Sequence, residues 1–150
     1  LEIGKGQILY QGEGIAILSL GTRLSAALKA RDRLKAEGCS ITVADARFAK
    51  PIDYDLLIKL WNEHEKLIII EEGSVGGFGS HVMQMLSERG IFDKGLKFRS
   101  MILPDIFIDQ DTPDKMYKKA GLDSLSIANK VEETLNSNII LAKNRTKNIN

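Results

Sequence analysis

The chain has 150 residues, enough for one domain with a buried core. Its 21 Lys and Arg are interspersed with 20 Asp and Glu, and a net charge of +1 supplies no field for nucleic acid or an anionic membrane. A single cysteine, Cys39, excludes an internal disulfide, and no apolar run approaches a membrane span, so a cytoplasmic setting is expected.

Taken in chain order, the first elements are two short apolar runs, residues 7–10 and 15–20. They flank Gln11-Gly12-Glu13-Gly14, a spacing that predicts a β-hairpin. A helix follows over 22–37, with Leu24, Ala27, Leu28 and Leu34 at helical period and Gly38 just past its end. Residues 41–44 read as a strand, and Cys39 before it as an inert core thiol. Asp53 is placed to cap a second helix whose apolar face is Leu56, Leu57, Leu60 and Trp61.

Residues 66–70 form a nearly continuous apolar run, the type buried on both faces of a parallel sheet. A third helix turns Val82, Met85 and Leu86 inward, and residues 98–103 form a strand ended by Pro104. Thr112 as a capping hydroxyl and Pro113 at the first helical position open a fourth helix, Gly121 closes it, and Asp123 caps a last helix through Val131 and Leu135. Strand and helix alternate, which predicts an α/β fold with helices on both faces of a mostly parallel sheet. The opening hairpin contributes one antiparallel strand. Residues 1–137 make the domain, and the polar tail over 138–150, basic at its end, is expected to be frayed. The absence of an initiator methionine suggests a piece of a longer protein.

The chemistry-bearing candidate is the turn Glu71-Glu72-Gly73-Ser74-Val75-Gly76-Gly77-Phe78-Gly79. It lies where a strand ends and a helix begins, the place where α/β sheets bind ligands and helix N-termini bind anions. Its glycines do not follow G-x-G-x-x-G, since Val82 stands at the third glycine's position, and no Walker lysine is present. A tight turn allowing close backbone packing is the alternative reading. Glu71 and Glu72 are adjacent, so their side chains point to opposite faces. Arg47, after the strand at 41–44, offers an anion contact or a salt bridge to Asp45 or Glu72.

His64 ends a helix, where an imidazolium suits the dipole, and adjacent Ser80 and His81 cannot form a dyad on a helix. No HExxH or CxxC spacing suggests a metal. Leu103-Pro104-Asp105-Ile106-Phe107-Ile108-Asp109-Gln110 places four apolar residues in a connection, which points to contact with another protein surface.

The segment 45–53, the turn 71–79 and the segment 103–108 together resemble the C-terminal domain of thiamine-diphosphate enzymes of the transketolase group. That group includes transketolase, the beta subunits of 2-oxo acid dehydrogenases and 1-deoxy-D-xylulose-5-phosphate synthase. The third segment, with Gln110 and Ala120-Gly121-Leu122-Asp123, is most similar to the synthase branch. Gly4-Lys5-Gly6 matches the joint where this domain begins, and Asp111 departs from the glycine of many relatives.

The resemblance implies a transketolase C-terminal-domain-like fold, three-layered, with about five strands. It also implies a parent enzyme that is a homodimer using thiamine diphosphate and Mg²⁺. Catalytic, cofactor and metal residues would lie in the N-terminal and pyrimidine-binding domains rather than here, and the isolated domain would be inactive. The synthase condenses pyruvate with D-glyceraldehyde 3-phosphate, releasing CO₂, and its product feeds isoprenoid, thiamine and pyridoxal precursor synthesis. For this domain the implied role is structural; a free-standing α/β module that binds an anion or a partner at the glycine turn is the alternative. Arg47, Glu72, Gly73, Gly76, Gly77, Gly79, Pro104, Asp105 and Phe107 would form an interface or structural turn, with Glu72 fixing the turn through Arg47.

Overall fold

In the computed structural model, the backbone of residues 2–147 and the side chains of residues 2–136 are described. Two central strands organise them. β2 (Ile15–Ser19) and β4 (Lys66–Ile70) are buried along their whole length, and neighbouring residues in each go to opposite faces. Ile15, Ile17, Ile68 and Ile70 face one core, and Ala16, Leu18, Leu67 and Ile69 face the other. A strand apolar on both sides needs a helical layer on each, and this is what produces three layers.

The first core is covered by α1 (Leu24–Ala36), α4 (Pro113–Ala120) and α5 (Ser124–Lys147); the second is covered by α2 (Tyr54–Glu63) and α3 (Phe78–Glu88). β3 (Thr42–Asp45) and β5 (Lys97–Met101) flank the central pair. The five-stranded sheet has the order β1-β3-β2-β4-β5, with β1 being Gln7–Tyr10. All pairs are parallel except β1 with β3.

Most local signals act as expected, but the Thr112 hydroxyl makes no capping hydrogen bond at the start of α4. Asp53 accepts the Leu56 N–H at 3.1 Å, capping α2, and its second oxygen accepts the Gly6 N–H at 2.9 Å. Pro113 starts α4, and Gly121 ends it in the left-handed region at φ 72°. Asp123 accepts the Ser126 N–H at the start of α5. The fraying expected over 138–150 concerns residues whose side chains lie outside those described; the backbone of α5 runs on through Lys147. Cys39 packs against the first core, and burial, with the nearby charges of Glu132 and Glu37, pushes its thiol pKa up, which favours the protonated form.

The opening hairpin does not form. β1 and β2 are both strands, but β3 lies between them. After β1 the chain crosses the start of β3 instead of turning back beside it. Gly12 donates its N–H to Thr42 Oγ1 at 2.8 Å, and the Glu13 N–H reaches the Ser40 carbonyl at 3.0 Å. The reason is burial: β2 is apolar on both faces and sits best between two parallel strands. β1, exposed at Gln7 and Tyr10, suits an edge.

His64 is more enclosed than a helix-end imidazolium on the surface would be. Its Nδ1 donates to the Leu60 carbonyl at 2.8 Å, and its Nε2 lies 2.7 Å from Thr42 Oγ1, joining the end of α2 to β3.

The crossing leaves no room at residue 12. A Cβ there would sit 2.3 Å from the Ile41 carbonyl carbon. Gly12→Ala should therefore destabilise the domain by about 1–3 kcal/mol, the usual cost of forced overpacking. Gly12→Ala is checked by urea unfolding; an unchanged midpoint would mean that β1 moves aside freely.

Candidate functional site

The chain runs from β2 to β3 on one side and then places β4 on β2's other side. The carboxyl ends of β2 and β4 are thus the switch point, where the connecting segments diverge and leave a crevice. Three segments line it: Leu20 to Arg23 after β2, Glu71 to Gly77 after β4, and Leu103 to Ile108 after β5. They are tied by main-chain bonds, Leu20 N–H to the Ile70 carbonyl at 2.9 Å, Glu71 N–H to Met101 at 3.1 Å and Leu103 N–H to Gly73 at 2.9 Å.

The glycine turn does bind an anion, and the anion is Glu71. This side chain is buried. One carboxylate oxygen accepts the Phe78 N–H and the other the Gly79 N–H, both at 2.9 Å, at the N-terminus of α3. At Gly73 and Gly77 the carboxylate occupies the space a side chain would need. A Cβ on Gly73 would lie 2.6 Å from Glu71 Oε2, and one on Gly77 2.7 Å from it. Gly79 has Ser100 Oγ at 2.6 Å from its Cβ position, and Gly76 turns through φ 95°. The Gly76 N–H is taken by Ser80 Oγ at 2.9 Å. The phosphates of thiamine diphosphate do not fit this cradle, whose donors at Phe78 and Gly79 are already taken and whose occupant carries the same sign of charge.

Two expectations are corrected here. Glu71, not Glu72, fixes the turn, and Arg47 does not reach Glu72. Strand alternation sends Glu71 toward α3 and Glu72 toward α1 and α4. Arg47 follows β3, which is separated from β4 by β2. It sits at φ 58°, its N–H bonds Asp45 Oδ1 at 2.9 Å, and its guanidinium donates to the Gln7 side chain. The predicted interface residues therefore divide. Gly73, Gly76, Gly77 and Gly79 form the turn, Pro104, Asp105 and Phe107 lie in the next loop, and Arg47 stands apart.

Glu72 has its own cluster, which sequence reasoning missed. Its Oε1 accepts the hydroxyls of Thr22 and Tyr117. Arg23 Nε approaches the same oxygen at 3.2 Å as an ion pair, at an angle outside hydrogen-bond range. Arg23 is buried, its guanidinium carbon lies 3.2 Å from the Tyr117 ring centroid, and Nη1 donates to the Leu122 carbonyl at 3.4 Å. Burial pushes the Glu72 carboxyl pKa up. The hydroxyl bonds from Thr22 and Tyr117 and the charge of Arg23 outweigh it and hold the pKa below the usual value. One signal was available: Thr22 and Arg23 lie in the short segment between the first central strand and α1.

The loop after β5 splits by burial. Leu103 and Ile108 pack onto the first core, whereas Ile106 is 55% and Phe107 86% exposed. Val75, at the tip of the adjoining glycine turn, is 81% exposed. Large apolar side chains thus stand in water along the carboxyl edge of the sheet. Among the described residues, no group of three or more His, Cys, Asp or Glu is placed to hold a metal, and no helix is long and apolar enough to cross a membrane.

Fold and crevice define a three-layer α/β domain with a parallel core and one antiparallel edge strand. The model of the transketolase C-terminal domain family matches residues 4–127, and the chain belongs to that family. A split-gene transketolase, described as an inactive beta4 tetramer, is similar at 31% identity with a TM-score of 0.80, over 90% of this chain and 43% of that one. The chain therefore spans less than half of that relative. A 2-oxoglutarate:ferredoxin oxidoreductase from Magnetococcus marinus shares the fold at 16% identity and a TM-score of 0.59, over 87% of this chain and 19% of that one.

Glu71→Ala should strand two buried N–H groups and cost about 2–4 kcal/mol in urea unfolding. Equal stability of Glu71→Ala and the parent would mean that the turn does not need its internal anion. For Glu72 the folded pKa is depressed, so its contribution is present above the ordinary carboxyl value near 4.5 and fades as pH falls through the folded value. Tyr117→Phe removes one of the bonds that depress it. The stability difference between parent and Tyr117→Phe should be present at neutral pH and shrink toward pH 3, as read from urea midpoints across that range.

Proposed function

We propose that this chain is the C-terminal domain of a thiamine-diphosphate-dependent transferase and serves to dock that enzyme's other parts. In this reading the glycine turn and the loop after β5 contact the N-terminal and pyrimidine-binding domains or a second subunit. Thiamine diphosphate and Mg²⁺ are held outside this domain, and the whole enzyme is a homodimer. The observation that carries the reading is the apolar edge of Val75, Ile106 and Phe107, exposed beside the switch point of a transketolase-family domain. Such large exposed side chains usually mark a contact surface.

For the parent activity, we infer 1-deoxy-D-xylulose-5-phosphate synthase. The segment 103–110 and Ala120-Gly121-Leu122-Asp123 support this branch. A transketolase activity is the second reading, favoured by the 31% identity to a split-gene transketolase. A 2-oxo acid dehydrogenase beta subunit is the third, since segments 45–53 and 71–79 fit the group at large.

Assay of the full-length protein separates them. The synthase reading requires CO₂ release and condensation when pyruvate is supplied with D-glyceraldehyde 3-phosphate. Turnover only with a ketose donor and aldose acceptor would replace it by transketolase, and turnover only with a lipoyl acceptor by the dehydrogenase. For the docking role, the double substitution Ile106→Ser with Phe107→Ser should weaken subunit association by about tenfold or more. Sedimentation across a concentration series would show it, and unchanged association would remove these residues from the interface.

A further inference from the structure

The end of α2 carries a buried histidine that the docking role does not use. His64 is 5% exposed and yet borders an open pocket of about 420 Å³, whose wall includes Trp61, Glu63, Glu65, Lys94 and Lys97. Its Nδ1 carries a hydrogen, because the Leu60 carbonyl 2.8 Å away can only accept. Any further proton therefore arrives at Nε2, which lies 2.7 Å from Thr42 Oγ1. Thr42 is fully buried, and its oxygen already accepts the Gly12 N–H at 2.8 Å. The Gly12 carbonyl stands 3.2 Å from the same oxygen. A hydroxyl has one hydrogen and two lone pairs. With one lone pair given to the Gly12 N–H, one hydrogen and one lone pair remain for Nε2 and the Gly12 carbonyl. Beside a neutral imidazole both of these neighbours are acceptors, and the single hydrogen serves only one of them. Beside an imidazolium the Nε2 hydrogen fills the free lone pair, and the Thr42 hydrogen turns to the Gly12 carbonyl. The second arrangement holds one hydrogen bond more.

We propose that Gly12, Thr42 and His64 form a proton-operated clasp. When His64 is charged, the Thr42 hydroxyl binds Gly12 through both its N–H and its carbonyl, and the crossing at residue 12 is held more tightly. No proton leaves Thr42; its O–H bond only rotates. The surrounding charges balance. Glu63 and Glu65 on the histidine's own connection and Glu13 on the crossing are matched by Lys66 at the start of β4 and by Lys94 and Lys97 before and at the start of β5. β3 brings the neutral Thr42, and the carboxyl end of α2 favours a positive charge at His64. The clasp sits at the amino ends of β3, β4 and β5, at the other end of the strands from the docking edge, and is independent of that role.

The test follows the 150-residue chain, labelled with ¹³C and ¹⁵N, by NMR from about pH 8 to about pH 5, the range in which an imidazole changes charge. His81, the second of the two histidines and exposed on α3, is the internal reference. The expected result is one midpoint shared by the His64 ring signals and the Gly12 carbonyl carbon. The exchange protection of the Gly12 amide, corrected for the pH dependence of intrinsic exchange, should rise about fivefold across it, as suits one added hydrogen bond. Thr42→Ser should keep the shared midpoint, and Thr42→Val should lose the Gly12 response. A His64 ring that stays neutral while His81 titrates, a Gly12 carbonyl that ignores His64, or a protection factor that fails to rise would each overturn the proposal. These readings are made on the unsubstituted chain, so they hold even where Thr42→Val fails to fold.

Discussion

Glu71 carries its carboxylate into the N-terminus of α3, where two main-chain N–H groups bind it at 2.9 Å. Burying an ionised carboxylate is costly unless its oxygens are bonded. Here two charge-assisted bonds and the positive end of the helix offset that cost. The turn must wrap closely enough to exclude water, and this closeness is what the glycines supply. Gly73 then presents its carbonyl to the Leu103 N–H, so the loop after β5 inherits its position from the same turn. The exposed edge at Val75, Ile106 and Phe107 therefore depends, through two short steps, on one internal carboxylate.

The neighbouring residue does similar work on the opposite side. Glu72 gathers Thr22, Arg23 and Tyr117, which come from the segment leading into α1 and from α4. Two consecutive acids at the end of one central strand thus lock both helical layers, because strand alternation separates their side chains. Rigidity at this end is useful for a domain that presents an edge to other parts of an enzyme. A docking surface on an ordered support loses less conformational entropy when it binds.

Much of this architecture was legible in the sequence. The nearly continuous apolar run at 66–70 identified a strand buried on both faces, and Pro113 with Gly121 bracketed α4 through local backbone chemistry. The opposite orientation of Glu71 and Glu72 followed from strand geometry alone. Partner choice was not legible. The Gly12 turn fits a hairpin locally, and only the need to bury both faces of β2 places β3 in the gap. The identity of the bound anion was hidden for a similar reason. Glu71 meets N–H groups seven and eight residues further on, and a glycine pattern does not say whether the charge it encloses is a ligand's or the chain's own. The Glu72 cluster joins residues 50 and 45 positions apart in sequence, which no local motif encodes.

The crossing at Gly12 also bears on how the first strand of the chain is anchored. β1 has no partner in β2, the strand that follows it, and its sheet neighbour among the described residues, β3, lies beyond α1. It is therefore held to the sheet through a strand from which β2 and α1 separate it in sequence. Closing that longer loop costs more entropy than closing a hairpin would. The first strand of the chain is thus an antiparallel edge whose place is secured by a long-range pairing.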